Sequence, residues 1–336
     1  MAAELITSAQ NPKVKRLLAL QKDSSLRREC GLFVVEGQRE LQHCLAAGFD
    51  VDTLFVCPEI AGGPGGLVQE NFASLIPPTS LRSWAPPVHM ATGGHGLLHQ
   101  SPGTSAESAV SPMVPENVPL GAKKGNNDAN GTKGSTIGSS CGSVKMFEVS
   151  REVYEKVAYR GGTEGVIAEV RAKERWLEDL ALPKNPLIVV LESVEKPGNL
   201  GAVLRSADAA KADAVLICDP LTDLYNPNLI RASIGAIFTV PCAACSSEEA
   251  ISWLKSRGIR ILTAQLQDSS LYYDTDMRCG TALVMGTEST GLSPQWRAAA
   301  DAHIRIPMLG ALDSLNVSVS AAILLFEAVR QRLSTL

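Results

Sequence analysis

The second half of this 336-residue chain predicts an α/β fold, a parallel sheet with helices on both faces. Two observations carry that expectation. Short apolar runs near 187–192, 214–218, 237–241, 259–264, 281–286 and 303–306 have the length of buried strands. Helical stretches near 199–210, 226–234, 247–257 and 293–300 fall among them, and a closing helix runs from about Ser318 to Arg332. On that last helix Val319, Ala322, Ile323, Phe326 and Val329 mark one apolar face.

The first part of the chain predicts a smaller α-β-α-β unit. Asn11-Pro12 starts a helix, because proline suits the first turn, and Val14, Leu17, Leu18 and Gln21 follow at helical spacing. A strand at Leu32–Val35, a break at Glu36-Gly37, a helix around Leu41–Ala47 and a strand at Thr53–Cys57 come next. From 61 to 143 the texture changes: this quarter holds 14 of 28 glycines and 9 of 19 prolines, so it reads as a low-complexity, disordered insertion. Helical character over Phe147–Val157 and a strand at Gly165–Val170 then resume the interrupted domain. The expected layout is a split front domain (1–60 and 144–172), the insertion (61–143), a linker with a polar helix and loop (173–186) and a sheet domain (187–336).

Composition narrows the function classes. No apolar run approaches the ~18 residues of a membrane span, and the start lacks a secretory layout, so cytoplasm is the default address, with an organelle left open. Eight cysteines lie scattered without a framework of spacings and read as reduced thiols. Cys242 and Cys245 form one CxxC, but no second pair or histidines follow at ligand spacing, so no metal is expected. A net charge of −4 means that any nucleic-acid contact must be local. The local candidate is Asn11–Arg28, where Lys13, Lys15, Arg16, Lys22, Arg27 and Arg28 face one acid, Asp23; a solvated helix face would look the same.

Neither a GxGxxG nor a P-loop is present, which removes the simple dinucleotide and NTPase readings. Three polar clusters lie just beyond strands instead. In LESVEKPGNLGAVLRSADA (191–209), Asn199 opens a helix that carries Arg205. In TALVMGTESTGLS (281–293), Gly286, Glu288 and Gly291 form a tight turn. In the segment from Ile304, Pro307 and Gly310 precede Ser314 and Asn316 at the start of the last helix. Each has a bland alternative: a helix cap, a surface arginine or a structural ion pair. Open α/β sheets, however, collect their sites at strand carboxyl ends.

Together NxGAVLR, GTExxGLS and IPMxGxxxSLNVSVSAA closely resemble the three signature motifs of the SpoU/TrmH RNA 2′-O-ribose methyltransferases of the SPOUT superfamily. The resemblance covers about Leu187 to Leu333 and takes in YNPNLIRASIGAIFTVP (225–241). ITSAQNPKVKRLLALQ and FVVEG (33–37) resemble the L30e-like substrate-binding domain often fused in front. The resemblance implies a deep trefoil knot that holds S-adenosylmethionine, with Met285, Gly286, Ile306, Met308 and Leu315 at the matching cofactor positions. It implies a catalytic rim of Asn199, Arg205, Glu288, Ser314 and Asn316, and a homodimer in which Arg205 helps the neighbouring site. Two departures stand out: Glu192 where the family often has Asp, and Lys211 where Gly is common. The implied substrate is RNA, ribosomal before transfer RNA, with Lys13, Lys15, Arg16, Arg27 and Arg28 as its contacts; a non-catalytic RNA-binding assembly factor is the alternative.

Overall fold

The computed structural model describes residues 4–62, 144–159, 164–287 and 290–334. The expected insertion, residues 61 and 62 apart, and Glu288 lie outside the described residues.

The front sheet has strands β1 (Glu4–Ile6), β2 (Leu32–Glu36), β3 (Val51–Val56), β4 (Lys145–Val149) and β5 (Val166–Arg171), in the order β1-β4-β3-β5-β2. β1, β4 and β3 are parallel, and β5 runs antiparallel between β3 and β2. Helix α1 (Pro12–Lys22) starts as expected: the Asn11 side chain accepts the Lys13 N–H at 2.9 Å, and Val14, Leu17 and Leu20 are buried. α2 (Ser24–Cys30), α3 (Gln38–Ala46) and α4 (Pro58–Ala61) follow. The helical reading of Phe147–Val157 needs correction. Phe147 to Val149 belong to β4, and only Arg151–Val157 (α5) is helical, capped by Ser150. A strand this short between two strands offers too little alternation to be distinguished from a helix entry.

The second sheet has seven strands, all parallel: β6 (Leu187–Glu192), β7 (Ala214–Cys218), β8 (Cys242–Cys245), β9 (Arg260–Ala264), β10 (Ser270–Leu271), β11 (Thr281–Met285) and β12 (Ala302–Arg305). Their order is β10-β12-β9-β11-β6-β7-β8. The helices are α6 (Pro197–Ala209), α7 (Pro227–Ala232), α8 (Ala236–Thr239), α9 (Ser247–Ser256), α10 (Pro294–Ala299) and α11 (Val317–Leu333). Apolar side chains fill both faces, so the strands read as continuous runs. Among the described residues no helix is long and apolar enough to cross a membrane.

Three local expectations change. The run at 237–241 is not a strand: Ala236–Thr239 is a helical turn entered from Gly235 at φ +80°, and the edge strand is Cys242–Cys245. Ile237 and Phe238 are buried, and a short apolar run looks alike in a buried strand and a buried helix. In that strand Cys242 and Cys245 are three residues apart and face opposite sides of the sheet. The polar helix expected before Leu182 reduces to a three-residue turn, Leu177–Asp179. In α11 the core side is Val317, Ala321, Leu324, Leu325 and Ala328, whereas Val319 and Phe326 of the apolar face read from the sequence remain about half exposed.

The two sheets share a core. Phe33 of β2 stacks on Tyr225 with centroids 4.3 Å apart, and Phe49 meets Phe238 edge-on at 5.4 Å. Arg27, 4% exposed, crosses the same boundary to Asp223 at 2.7 Å and donates to the Leu20 carbonyl at 2.6 Å.

Candidate active site

The carboxyl ends of β9, β11 and β12 open onto a cleft of about 360 Å³. Chain order brings its walls together. β12 lies outside β9 and β11 in the sheet, yet the helix that follows it, α11, packs against α6 and β11. The segment between β12 and α11 must therefore cross the ends of β9 and β11. Met285, Gly286, Ile306, Met308, Ser314 and Leu315 all line the resulting cleft, although they come from two segments twenty residues apart.

Gly286 is there for want of space. A Cβ on it would sit 2.3 Å from the carbonyl carbon and oxygen of Gly291. That approach is closed by paired backbone hydrogen bonds, Thr287 N to Gly291 O at 3.2 Å and Gly291 N to Thr287 O at 3.1 Å. The turn is fastened from below by Glu192, whose buried carboxylate accepts the Ser293 N–H at 2.8 Å. Glutamate in place of the more usual aspartate thus still ends on a backbone donor. Lys211, the other departure, adopts φ +52°, a left-handed conformation that glycine takes at no steric cost.

A second hollow of about 180 Å³ adjoins the cleft, lined by Ser193, Glu195, Lys196 and Asn199 and sharing Gly286, Thr287 and Val317 with it. Asn199 stands in the first turn of α6, and the Asn316 side-chain amide donates to its Oδ1 at 3.1 Å. Asn316 also caps α11, its Oδ1 accepting from Ser318 N at 3.0 Å and Ser318 Oγ at 2.6 Å. The cap reading of this residue therefore holds, and the same side chain also reaches Asn199. Arg205 is exposed on α6 and lines neither the cleft nor the hollow. Sequence reasoning missed Gln265, Arg297 and Arg305 on the cleft wall; the position of Gln265 directly after a strand was the available signal.

The basic stretch divides. Lys15 and Arg28 are exposed, Lys13 pairs with Glu4 at 2.7 Å and lies over the Phe147 ring, and Arg16 pairs with Glu169 at 3.3 Å. Arg27 leaves the set of RNA contacts, because burial against Asp223 withdraws it from any ligand. Two cations absent from the sequence reading, Lys145 and Arg171, join Arg16 around Asp52 and Glu169, at 3.6 and 2.6 Å from Asp52. Burial pushes the Glu169 carboxyl above its ordinary range, with Arg16 opposing the shift.

Comparison with known proteins agrees with the geometry. The SpoU rRNA Methylase family profile matches residues 186–326, and that of an MRM3-like substrate binding domain matches 11–73. The 23S rRNA (guanosine-2′-O-)-methyltransferase RlmB of Vibrio vulnificus is 35% identical over 198 residues, 57% of this chain and 80% of that protein. The 23S rRNA (uridine(2479)-2′-O)-methyltransferase of Streptomyces viridochromogenes is 33% identical over 176 residues, 50% of this chain and 61% of that protein. Among solved structures, an RNA 2′-O ribose methyltransferase is 32% identical with a TM-score of 0.67, covering 98% of this chain and 99% of its own. An AdoMet-bound rRNA methyltransferase from Sinorhizobium meliloti is 25% identical with a TM-score of 0.69, covering 97% of each chain. With motifs, sheet and cleft in agreement with relatives matched over most of their length, the chain belongs to the SpoU rRNA methylase family.

Proposed function

We propose that this protein transfers the methyl group of S-adenosylmethionine to a ribose 2′-hydroxyl of ribosomal RNA. The observation that carries the reading is the convergence of Met285, Gly286, Ile306, Met308 and Leu315 on one cleft, with Asn199 and Asn316 hydrogen-bonded beside it. The named activities of the relatives give the same reaction class and the same RNA. The protein acts wherever that RNA is found, the cytosol by default.

The cleft fits the cofactor. Its volume lies in the range of small-molecule sites, and Gly286 leaves backbone open where a Cβ would fill the space. Met285, Ile306, Met308 and Leu315 give the cleft thioether and aliphatic surface that suits the adenosine. When bound, S-adenosylmethionine supplies that methyl group to a nucleophile. The knot implied by the motifs belongs to this reading: it forms where the segment after β12 crosses the ends of β9 and β11.

The chain's own residues must orient the ribose and manage the proton of a weakly nucleophilic hydroxyl. Asn199 lines the hollow next to the cleft, its amide oriented by the Asn316 amide, and fixes the ribose edge. Glu288 and Ser314 complete the rim in this proposal. Arg205, whose planar guanidinium offers only hydrogen-bond donors, acts by stabilising developing alkoxide and clamping the adjacent phosphate rather than as a base. Because Arg205 is exposed and lines neither hollow of its own chain, it serves the cleft of a second copy. Pairing through the half-exposed Val319 and Phe326 of α11 accounts for their exposure and makes the protein a homodimer.

The front domain, residues 1–60 with 144–172, docks the RNA through Lys13, Lys15, Arg16 and Arg28, and 173–186 links it to the catalytic domain at 187–336. The test is methyl transfer from tritiated cofactor to purified ribosomal RNA and transfer RNA pools. Incorporation into ribosomal RNA is expected; labelling of transfer RNA alone overturns the substrate, and labelling of neither overturns the enzyme.

A further inference from the structure

Residues 172–176 join the two sheets without regular secondary structure, yet they are firmly held. Lys173 N–H donates to the Tyr225 hydroxyl at 3.0 Å, that hydroxyl donates to the Lys173 carbonyl, and Lys173 Nζ reaches the Gly48 carbonyl. Arg175 donates to the Ile237 carbonyl at 2.8 Å and lies over the Phe49 ring. The next residue, Trp176, is 56% exposed. A fixed backbone that sets a large aromatic ring in solvent gives up apolar burial and gains no mobility in exchange.

Trp176 lines a surface pocket of about 430 Å³ together with Leu221, which is 62% exposed, and with Arg28 and Lys173. Three cations and two acids line it; Asp223 is already paired with Arg27 at 2.7 Å, and the heads of Lys173 and Arg175 already reach backbone carbonyls, so Arg28 is the cation that meets a phosphate. Apolar walls beside uncompensated positive charge match a nucleotide, which offers a π face and a phosphate. The location fits as well. The segment 219–225 follows β7, so the pocket opens at the carboxyl edge of the sheet that also carries the catalytic cleft. Thr222 Oγ1 donates to the Glu195 carbonyl at 2.5 Å, and Glu195 lines the hollow containing Asn199. From β11 to β8 is three strand spacings, about 14 Å at ~4.8 Å each.

We propose that Trp176 and Leu221, with Arg28 and Lys173 beside them, form a stacking subsite for an unpaired nucleotide of the RNA substrate a few positions from the methylated ribose. The base lies on the indole, the phosphate on Arg28. This rests on RNA being the substrate, and it adds a contact on the linker to those assigned to the front domain. A pre-set ring loses little freedom on binding, so the stack contributes nearly its full value.

Fluorescence anisotropy of a labelled single-stranded RNA oligonucleotide on the full chain tests it. Trp176→Ala should weaken binding at least about fivefold, the low end for losing one base stack. Trp176→Phe should retain most affinity, Arg28→Ala should lower it, and a fully paired RNA should bind Trp176→Ala as it binds the wild type. Wild-type affinity of Trp176→Ala for the oligonucleotide overturns the proposal, as does an equal loss on duplex. A changed sedimentation coefficient with unchanged RNA affinity also overturns it, and assigns the surface to a protein. Trp176-dependent binding by a protein that transfers no methyl supports the subsite while refuting the proposed reaction. Methyl transfer with Trp176-independent binding refutes the subsite alone.

Discussion

Asn316 donates its side-chain amide to Asn199 Oδ1 at 3.1 Å while its own Oδ1 caps the last helix. One side chain thereby ties the first turn of α6 to the start of α11, the two helices that border the hollow beside the cofactor cleft. Its two roles can be separated. Asn316→Asp keeps the capping oxygen and loses the amide donor, so it should melt close to wild type while methyl transfer falls. Asn316→Ala should also lose about 1 kcal/mol of stability with the cap. Thermal melts alongside transfer rates check both; an active Asn316→Asp would remove the bridge from the mechanism.

Gly286 allows no side chain. The Cβ of Gly286→Ala would meet Gly291 backbone at 2.3 Å, which has no flexible end to yield, so the turn between β11 and α10 must open. Calorimetric titration with S-adenosylmethionine should show at least about a tenfold loss of affinity, the ~1.4 kcal/mol of a small displacement in a fitted site. Unchanged affinity would place the cofactor elsewhere.

Neighbouring arginines should behave as opposites. Arg27→Ala strands Asp223 in a largely buried setting and should cost about 3 kcal/mol, read as a lower denaturant midpoint. Arg28→Ala should leave that midpoint in place and lower RNA affinity, more so at low salt. Equal stability losses would contradict the assignment of one to the core and the other to RNA.

Glu169 gives a pH signature. Burial raises its carboxyl in the folded state, so ionisation costs stability as pH rises from the unfolded value toward the raised one. Arg16, nearly half exposed, offsets only part of that cost. Glu169→Gln should therefore melt higher than wild type at neutral pH, and the difference should close in acid, where the wild-type carboxyl is protonated. A Gln variant that melts lower at neutral pH would mean that the Arg16 pair outweighs desolvation.

Much of this was legible in the sequence where chemistry is local. The Asn11-Pro12 start, the strands at Leu187–Glu192 and Ala214–Cys218 and the glycine at 286 each follow from a few neighbouring residues. What escaped depends on partners distant along the chain. Arg27 looked like its neighbours until Asp223, 196 residues on, claimed it. Lys145 and Arg171 reach the Arg16 patch only through strand pairing across the insertion. The apolar face of α11 was read correctly as apolar, but a face that packs on the core and one that remains open have the same composition. The turn at Ala236–Thr239 took its form from burial among Phe33 and Phe49 rather than from its own pattern.

The central claim is methylation of the ribose rather than the base, and alkaline hydrolysis of labelled RNA tests it most directly. A methylated 2′-oxygen cannot attack the neighbouring phosphate, so that linkage survives. Ribosomal RNA treated with the wild-type protein and tritiated S-adenosylmethionine should carry its label in alkali-resistant dinucleotides, and Arg205→Ala should give none while binding the cofactor normally. Label released in mononucleotides, or an Arg205→Ala protein as active as the wild type, would contradict the account.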